Sequence, residues 1–276
     1  MSVNLPIIVI NLDRVPDRMV AVRAQFTRAN LNERVTRFSA VDAMLPGFSA
    51  PGYAPGSWRD RWTLLPSEQA VFASHREVWQ QVAEGPAPGA VICEDDIMVS
   101  DGFGAALQAL EIERFGVIKL DGFSAYRHYG PEIPMGEFAV RDILDAVPSA
   151  ACYAISKAAA CRLLEDSFAF CTTLDDFVFA ARKGLRPVQL FPAVAVQGMC
   201  CVSDQFVPEA IALSERDTAT IHARADKGPL LYRLRKELKR ASSKIARTLG
   251  ADRRLIRRGG VLCRPQLADD LPDYVS

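Results

Sequence analysis

The stretch "AVICEDDIMVS", residues 90–100, places three consecutive carboxylates directly after a run of residues typical of a buried strand. These are Glu94, Asp95 and Asp96, and no lysine or arginine lies within several residues on either side. Like charges at the edge of a core repel one another and resist desolvation, so the cluster needs protonation, basic neighbours or a cation. The simpler alternative is an exposed strand end that leads into a helix.

Strand signals alternate with helix signals on both sides of this stretch. The strand signals are mostly apolar runs at residues 5–12, 89–96, 115–122, 150–156 and 186–192. The helix signals begin near Pro16 and continue at residues 66–85, 156–168 and 173–184. This alternation predicts an α/β fold with a mainly parallel central sheet flanked by helices.

Two stretches interrupt the alternation. Residues 42–66 and 126–138 are rich in proline, glycine and aromatic residues, and the first is too long for an ordinary connection. We expect both to be loops. The longer one is predicted to be an active-site loop, and the shorter one is a second candidate of the same kind.

Length and net charge indicate one large domain and argue against a polyanionic partner for the molecule as a whole. The chain has 276 residues, of which 49% are hydrophobic, so it can bury the core of one large domain, alone or with an appendage. Lysine plus arginine equal aspartate plus glutamate at 33 each, so the whole molecule has no net charge to attract a polyanion.

The cysteines and the first residues indicate a compartment. Seven cysteines form neither a C-x-x-C pair nor a cluster with zinc-site spacing, which favours reduced thiols in the cytoplasm. The apolar run in residues 5–12 is too short for a signal peptide, and no window approaches the about 18 apolar residues of a membrane span. We therefore expect a cytoplasmic protein.

The acidic cluster has the residue types of a cation site. Side chains alternate along a strand, so Glu94 and Asp96 are expected to share one face while Asp95 points to the other. In open α/β sheets, ligands bind beyond the carboxyl ends of the strands. Mg²⁺ and Mn²⁺ favour one or two carboxylates, with phosphate oxygens and water in the remaining positions. A nucleoside diphosphate bridged by Mn²⁺ or Mg²⁺ fits this pattern.

Five motifs in order give the sequence a family resemblance. They are "INLDRVPDR" (10–18), "SEQAVFASHREVW" (67–79), "CEDD" (93–96), "VIKL" (117–120) and "YAIS" (153–156). In these, over roughly the first 200 residues, the chain resembles the bacterial lipopolysaccharide and lipooligosaccharide glycosyltransferases of family 25, relatives of the collagen galactosyltransferases. Ser67, Ala70 and Val71 replace the small residues and the cysteine of the family pattern.

The resemblance implies a fold and a reaction. It implies a GT-A type domain, here residues 1–225, and transfer of a hexose, most often galactose, from a UDP-sugar with inversion at the anomeric carbon. The acceptor would be a glycan of lipopolysaccharide, lipooligosaccharide or another surface polymer. A metal held by Glu94 and Asp96 would stabilise the leaving diphosphate.

Inverting transfer also needs a base for the acceptor hydroxyl. Asp175 and Asp176, in "TTLDDFVFAARKG", are the predicted pair. The alternative is that they are ordinary first-turn residues of a helix capped by Thr172 or Thr173. Spacing and composition leave both interpretations open.

Residues after the first strand lie where a nucleotide is expected. The resemblance favours donor binding by Asn11, Asp13 and Arg14, and we assign Asp95 to the same donor site. Alternatively, the arginines of this segment are solvated or paired with neighbouring aspartates.

Three more residues are predicted to contact the donor. Lys119 and Asp121 are expected to lie on one strand face. There they form either a contact to the donor sugar or diphosphate, or a buried ion pair. His75 has helical spacing to apolar neighbours and is either a half-buried structural residue or, as the resemblance favours, part of the donor pocket. Its neighbour Ser74 points about 100° away on the helix, which excludes a serine hydrolase pair.

Two other functions stay open. A metal-dependent phosphohydrolase can use clustered carboxylates, but such sites usually recruit more histidines than His75, His128 and His222. A non-catalytic family member that binds sugars or sugar nucleotides, or that scaffolds an assembly, is the second alternative.

The segment 226–276 is predicted to be a basic helical extension. Residues 227–258 contain twelve lysines and arginines against Glu237 and Asp252. One stripe at helical spacing contains Leu231, Leu234, Leu238, Ala241, Ile245 and Leu249. We expect this amphipathic helix to bind an anionic membrane surface, which would make the protein peripheral on the inner face of the cell membrane. A helix docked on the catalytic domain is the alternative, and without interleaved aromatic residues we expect no nucleic-acid partner.

Overall fold

The computed structural model of the protein describes residues 4–58, 60–201, 208, 211, 225–246, 250 and 252–274. Twelve strands form one large and one small sheet within these residues. The strands are β1 (Ile7–Asn11), β2 (Val35–Ser39), β3 (Gly89–Glu94), β4 (Ile97–Val99), β5 (Val117–Lys119), β6 (Asp121–Gly122), β7 (Arg127–Met135), β8 (Phe138–Ile143), β9 (Cys152–Ser156), β10 (Val188–Phe191), β11 (Ala195–Gln197) and β12 (Val261–Cys263).

Helices cover both faces of the large sheet. The α-helices are α1 (Pro16–Arg28), α2 (Pro66–Glu84), α3 (Phe103–Ala109), α4 (Ile112–Phe115), α5 (Lys157–Asp166), α6 (Leu174–Val178), α7 (Leu230–Ala246) and α8 (Asp252–Arg257). In the part of the chain that the structure describes, every helix is too short or too polar to cross a bilayer. All seven cysteines are free thiols.

The strand β1 shows why the sheet lies at the centre of the fold. All five of its residues are buried, as expected for a continuous apolar strand covered on both faces. Ile7 and Val9 pack into the apolar layer that contains α1, whereas Ile8 and Ile10 pack into the layer that contains α2. This alternation fixes which side of the sheet each helix covers.

The predicted α/β class is confirmed, but the prediction of a mainly parallel sheet is wrong. The nine strands run in the order β12-β7-β8-β10-β5-β9-β3-β1-β2. Among the described pairs of this large sheet, β1/β2, β1/β3 and β5/β10 are parallel and the other five are antiparallel. The sheet is mixed because β9 runs antiparallel between β3 and β5, and because β7 and β8 form a hairpin.

The predicted loop at residues 126–138 is also wrong, because this stretch lies in the β7–β8 hairpin. Its prolines, Pro131 and Pro134, follow the short segment of β7 that pairs with β12. A register shift between Tyr129 and Glu132 accommodates the first of them. Strands tolerate proline at an open edge or a bulge, where no ladder hydrogen bond is lost.

The helices predicted from Pro16, over 66–85 and over 156–168 agree with α1, α2 and α5 to within two residues, but the next one does not. The predicted helix over 173–184 is reduced to the five residues of α6. A tight turn follows, in which Arg182 bridges to Leu185 and Gly184 has a φ of +80°. That left-handed conformation suits glycine and ends the helical path.

The segment assigned to an extension contains both helix and strand. The helix α7 lies in the predicted amphipathic region, but β12 then pairs with β7 and becomes an edge strand of the large sheet. Leu249 and His222 lie outside the described residues, as does the side chain of Ile245. The domain boundary at residue 225 stays a prediction.

Candidate functional site

A cavity of about 450 Å³ opens at the carboxyl ends of β1 and β3, within the usual size of small-molecule sites, about 300–1,000 Å³. Its walls come from both ends of the predicted active-site loop, from one side of α2 and from the acidic cluster, Glu94 to Asp96. Residues 40–44 and 65–67, at and next to the two ends of the loop, line the cavity. Its first end is held by Ser74, whose hydroxyl accepts a hydrogen bond from the backbone N–H of Val41 at 2.9 Å.

The structure brings Glu94 and Asp96 together, for a reason other than the predicted one. The strand β3 ends at Glu94, and Asp95 and Asp96 form the turn into β4, so strand alternation does not extend to them. Gln197 joins the pair: its side-chain amide donates to Glu94 at 3.3 Å and to Asp96 at 3.1 Å. The turn therefore directs both carboxylates to one side.

Asp95 points away from that pair and is held by two side chains. Its carboxylate accepts a hydrogen bond from Asn11 at 2.6 Å and lies 3.4 Å from the guanidinium of Arg18. Burial raises the pKa of Asp95, and these two neighbours act in the opposite direction. Arg18 is thus the basic neighbour that the local sequence lacks.

Asp96 is buried beside the other two carboxylates of the cluster. Burial and, next, the charges of Glu94 and Asp95 raise the pKa of Asp96 to about 7, against the opposing effect of Gln197. Among the described residues, no group of three or more His, Cys, Asp or Glu side chains converges as a metal site. A pair of carboxylates nevertheless fits Mg²⁺ or Mn²⁺, which take their other ligands from phosphate and water.

His75 presents a hydrogen-bond donor beside these carboxylates. The indole N–H of Trp79 can only donate, and it donates to the hydroxyl oxygen of Tyr153 at 2.8 Å. That oxygen lies 2.9 Å from Nδ1 of His75, so we assign the hydroxyl proton to this contact and the imidazole proton to Nε2. In the described part of the chain, Nε2 is buried without a hydrogen-bond partner, 3.6 Å from Glu94.

The three residues predicted after the first strand have different surroundings. Arg14 lines the cavity and donates to Asp42 at 2.8 Å. Asn11 is buried and contacts Asp95 instead of the cavity. Asp13 is exposed, and hydrogen bonds from Arg37 and then Ser39 lower its pKa.

Lys119 and Asp121 form the buried ion pair that the sequence left open as an alternative. Both side chains are fully buried, and Nζ lies 2.7 Å from the carboxylate. Asp121 also accepts a hydrogen bond from Ser149 at 2.7 Å, and Lys119 lies over the ring of Phe179. Neither residue of the pair is among those that line the cavity.

Asp175 and Asp176 lie in the first turn of α6, after the N-cap residue Thr173. The hydroxyl of Thr173 donates to Asp176 at 3.1 Å. Burial and then Asp175 raise the pKa of Asp176, and the residues that influence it include Asp60 and Arg61 of the active-site loop. Neither aspartate is among the residues that line the cavity.

The sequence reasoning missed Gln197 and Asp42, and it left Arg18 without a role. Gln197 reaches the cluster because β11 pairs antiparallel with β4, directly opposite Ile97. Nothing local marks a glutamine for that position. Arg18 had a usable signal, since it belongs to the same motif as Arg14 and lies in the first turn of α1.

The protein is therefore an α/β protein with an acidic cavity at the carboxyl ends of its strands, where ligands bind in folds of this class. Comparison with protein-family models matches residues 4–178 to glycosyltransferase family 25, described as an LPS biosynthesis protein. The match covers more than half of the chain, which therefore belongs to glycosyltransferase family 25. Membership supports glycosyltransferase activity in lipopolysaccharide biosynthesis. A comparison with curated proteins found no match.

Proposed function

We propose that the protein is a metal-dependent, inverting hexosyltransferase of the GT-A type that uses a UDP-sugar. The family resemblance favours galactose, and an acceptor glycan of lipopolysaccharide, lipooligosaccharide or another surface polymer. The observation that supports this most directly is the pairing of Glu94 and Asp96 with the buried N–H of His75 at one cavity wall. A metal diphosphate would supply a cation for the two carboxylates and an acceptor oxygen for the N–H of His75.

The two carboxylates are proposed to hold Mn²⁺ or Mg²⁺. Bound there, the metal would offset the negative charge that develops on the leaving diphosphate. Gln197 keeps the two carboxylates on one side, and Asn11 and Arg18 hold Asp95 away from them. The protein therefore presents the pair in a fixed arrangement before a ligand binds.

Replacing His75 by alanine is expected to weaken donor binding about ten- to hundredfold, because a hydrogen bond to a charged group contributes about 1.5–3 kcal/mol. His75→Gln, whose amide can place an N–H near the same point, is expected to recover part of the loss. Calorimetric titration with UDP measures the effect. An unchanged dissociation constant in His75→Ala would remove His75 from the donor site.

The Tyr153→Phe variant is the matched control for the proton assignment. It keeps the ring and removes only the hydroxyl that fixes the imidazole proton. Nitrogen NMR of the His75 ring is expected to show one tautomer in the native protein and a mixture in the variant. A ring with its proton on Nδ1 in the native protein would contradict the assignment.

We propose Asp176 as the base for the acceptor hydroxyl. In an inverting transfer the base acts on the face of the sugar opposite the diphosphate, so it need not line the donor cavity. The raised pKa of Asp176 suits a base, and the residue lies beside the active-site loop. Asp176→Asn is expected to lower kcat about a hundredfold with donor affinity unchanged. Its neighbour Asp175→Asn is the control and should keep near-normal turnover; equal turnover in both would place the base elsewhere.

A screen of nucleotide sugars tests the proposed function as a whole. Thermal shift and slow donor hydrolysis are measured for UDP-galactose, UDP-glucose and non-uridine donors, with and without manganese. We expect stabilisation and hydrolysis with UDP-sugars only when manganese is present. Metal-dependent cleavage of simple phosphate esters would favour a phosphohydrolase, and absence of any donor effect would favour a non-catalytic role.

We also propose that the protein works in the cytoplasm, peripheral on the inner face of the cell membrane. A lipid-linked acceptor would be presented there, and residues 227–258 contain the strongly basic stretch of the chain. This stretch includes α7 and α8.

A further inference from the structure

The helix α7 exposes four leucines on one side. Their exposed fractions are 77% for Leu230, 71% for Leu231, 58% for Leu234 and 62% for Leu238. At 100° per residue these positions fall within one stripe, which we call the leucine face. A contiguous exposed apolar stripe on a folded protein marks a surface that binds something else.

The opposite side of the same helix docks on the active-site loop. Tyr232 is only 5% exposed, and its ring packs against Trp62 and Trp58, with centroids 5.3 and 6.0 Å away. One helical turn further on, the ammonium of Lys236 donates to the backbone carbonyl of Asp60 at 2.9 Å. An amphipathic helix usually docks by its apolar stripe. Here the docked side is the other one, so attachment to the domain leaves the leucine face exposed.

Charge favours an anionic bilayer as the partner of this face. The sequence of α7 contains six basic residues and one acidic residue. Arg233 and Arg235 lie on either side of the leucine stripe, and both are exposed. Glu237 lies at the same edge of the stripe as Arg233, so the excess of basic residues over the whole helix is what favours anionic headgroups beside the leucines.

We propose that the leucine face of α7 binds an anionic bilayer while the Tyr232 side stays docked on the active-site loop. The helix is then docked on the catalytic domain by one face and bound to the membrane by another, so the two alternatives given for it from the sequence are compatible. The inference deepens the proposed function and rests on it for the lipid-linked acceptor. The loop that contacts α7 ends at residues 65–67 on the cavity wall, so bilayer binding would hold the cavity next to the membrane.

The test uses the full chain, because a truncation before α7 would also remove β12 from the large sheet. Leu234→Gln/Leu238→Gln keeps helix propensity and charge while removing half of the leucine face. The matched control is Val20→Gln/Leu144→Gln, which alters two exposed apolar residues on other elements. Each protein is sedimented with phosphatidylcholine vesicles, with and without phosphatidylglycerol.

We expect the native protein and the control to bind only the anionic vesicles, and the leucine-face variant to bind them at least about tenfold more weakly. Donor hydrolysis without acceptor is expected to be equal in all three, so loss of hydrolysis tests the proposed function separately from vesicle binding. Equal vesicle binding by variant and control would overturn the inference. A native dimer that the leucine-face variant converts to a monomer, without vesicle binding, would also overturn it by assigning the face to a second copy.

Discussion

Asp96→Asn is expected to reduce sugar transfer by about a thousandfold or more, because it removes one of two proposed metal ligands and leaves an amide in a nearly isosteric position. The melting temperature should not fall. The substitution removes one of three crowded carboxylates, and Gln197 can still pair with Glu94. Turnover, manganese-dependent UDP binding and thermal unfolding measure the three quantities.

Asp101→Asn is the control for this prediction. It makes the same chemical change close by on the chain, but its side chain is 63% exposed and forms a surface ion pair with Arg28. It should keep native turnover. Full activity of Asp96→Asn, or of the native protein in excess EDTA, would rule out the proposed metal site.

Lys119→Met is expected to destabilise the fold by about 3–5 kcal/mol, because it leaves Asp121 buried without its cation. Burial already raises the pKa of Asp121, although Lys119 and Ser149 act against that shift. Chemical denaturation measures the loss. If the pair is structural, turnover per folded molecule and the KM for donor should stay within about twofold of native.

The double variant Lys119→Met/Asp121→Asn tests whether the lost stability comes from the unpaired charge of Asp121. It removes both charges, and the asparagine oxygen can still accept from the backbone N–H of Cys152, which lies 3.2 Å from Asp121. Replacing both partners of a buried pair is often close to neutral, so most of the lost stability should return. A native-like free energy of unfolding together with a large rise in donor KM would instead support the predicted donor contact.

Much of the fold could be predicted because its signals are local. The five buried residues of β1 and the Pro66 start of α2 depend on nearby apolar spacing and helix-end chemistry. The strand directions could not be predicted in this way. Whether β9 enters parallel or antiparallel depends on which strands it lies between, and a short apolar run has no signal for that.

In the candidate site, too, the local features could be predicted and the long-range contacts could not. Glu94 and Asp96 are only two positions apart in the sequence, so their proximity could be predicted even though the reason was a turn and not strand alternation. Gln197 reaches them through the pairing of β11 with β4, 100 residues earlier in the chain, and no sequence spacing predicts it. Lys119 and Asp121 showed the limit of reasoning from residue type alone, since the same pair fits a ligand contact or an internal ion pair until burial is known.

The late edge strand β12 has a consequence for how the protein is made in the cell. Val261 pairs with Tyr129, so β7 leaves the ribosome long before the strand that covers its edge. Chains are synthesised at about 5–20 residues per second, so the hairpin waits for several seconds with an open row of backbone donors and acceptors. Open strand edges recruit other chains. Nascent chains of this protein should therefore depend on chaperones most strongly in the interval between synthesis of the hairpin and synthesis of β12.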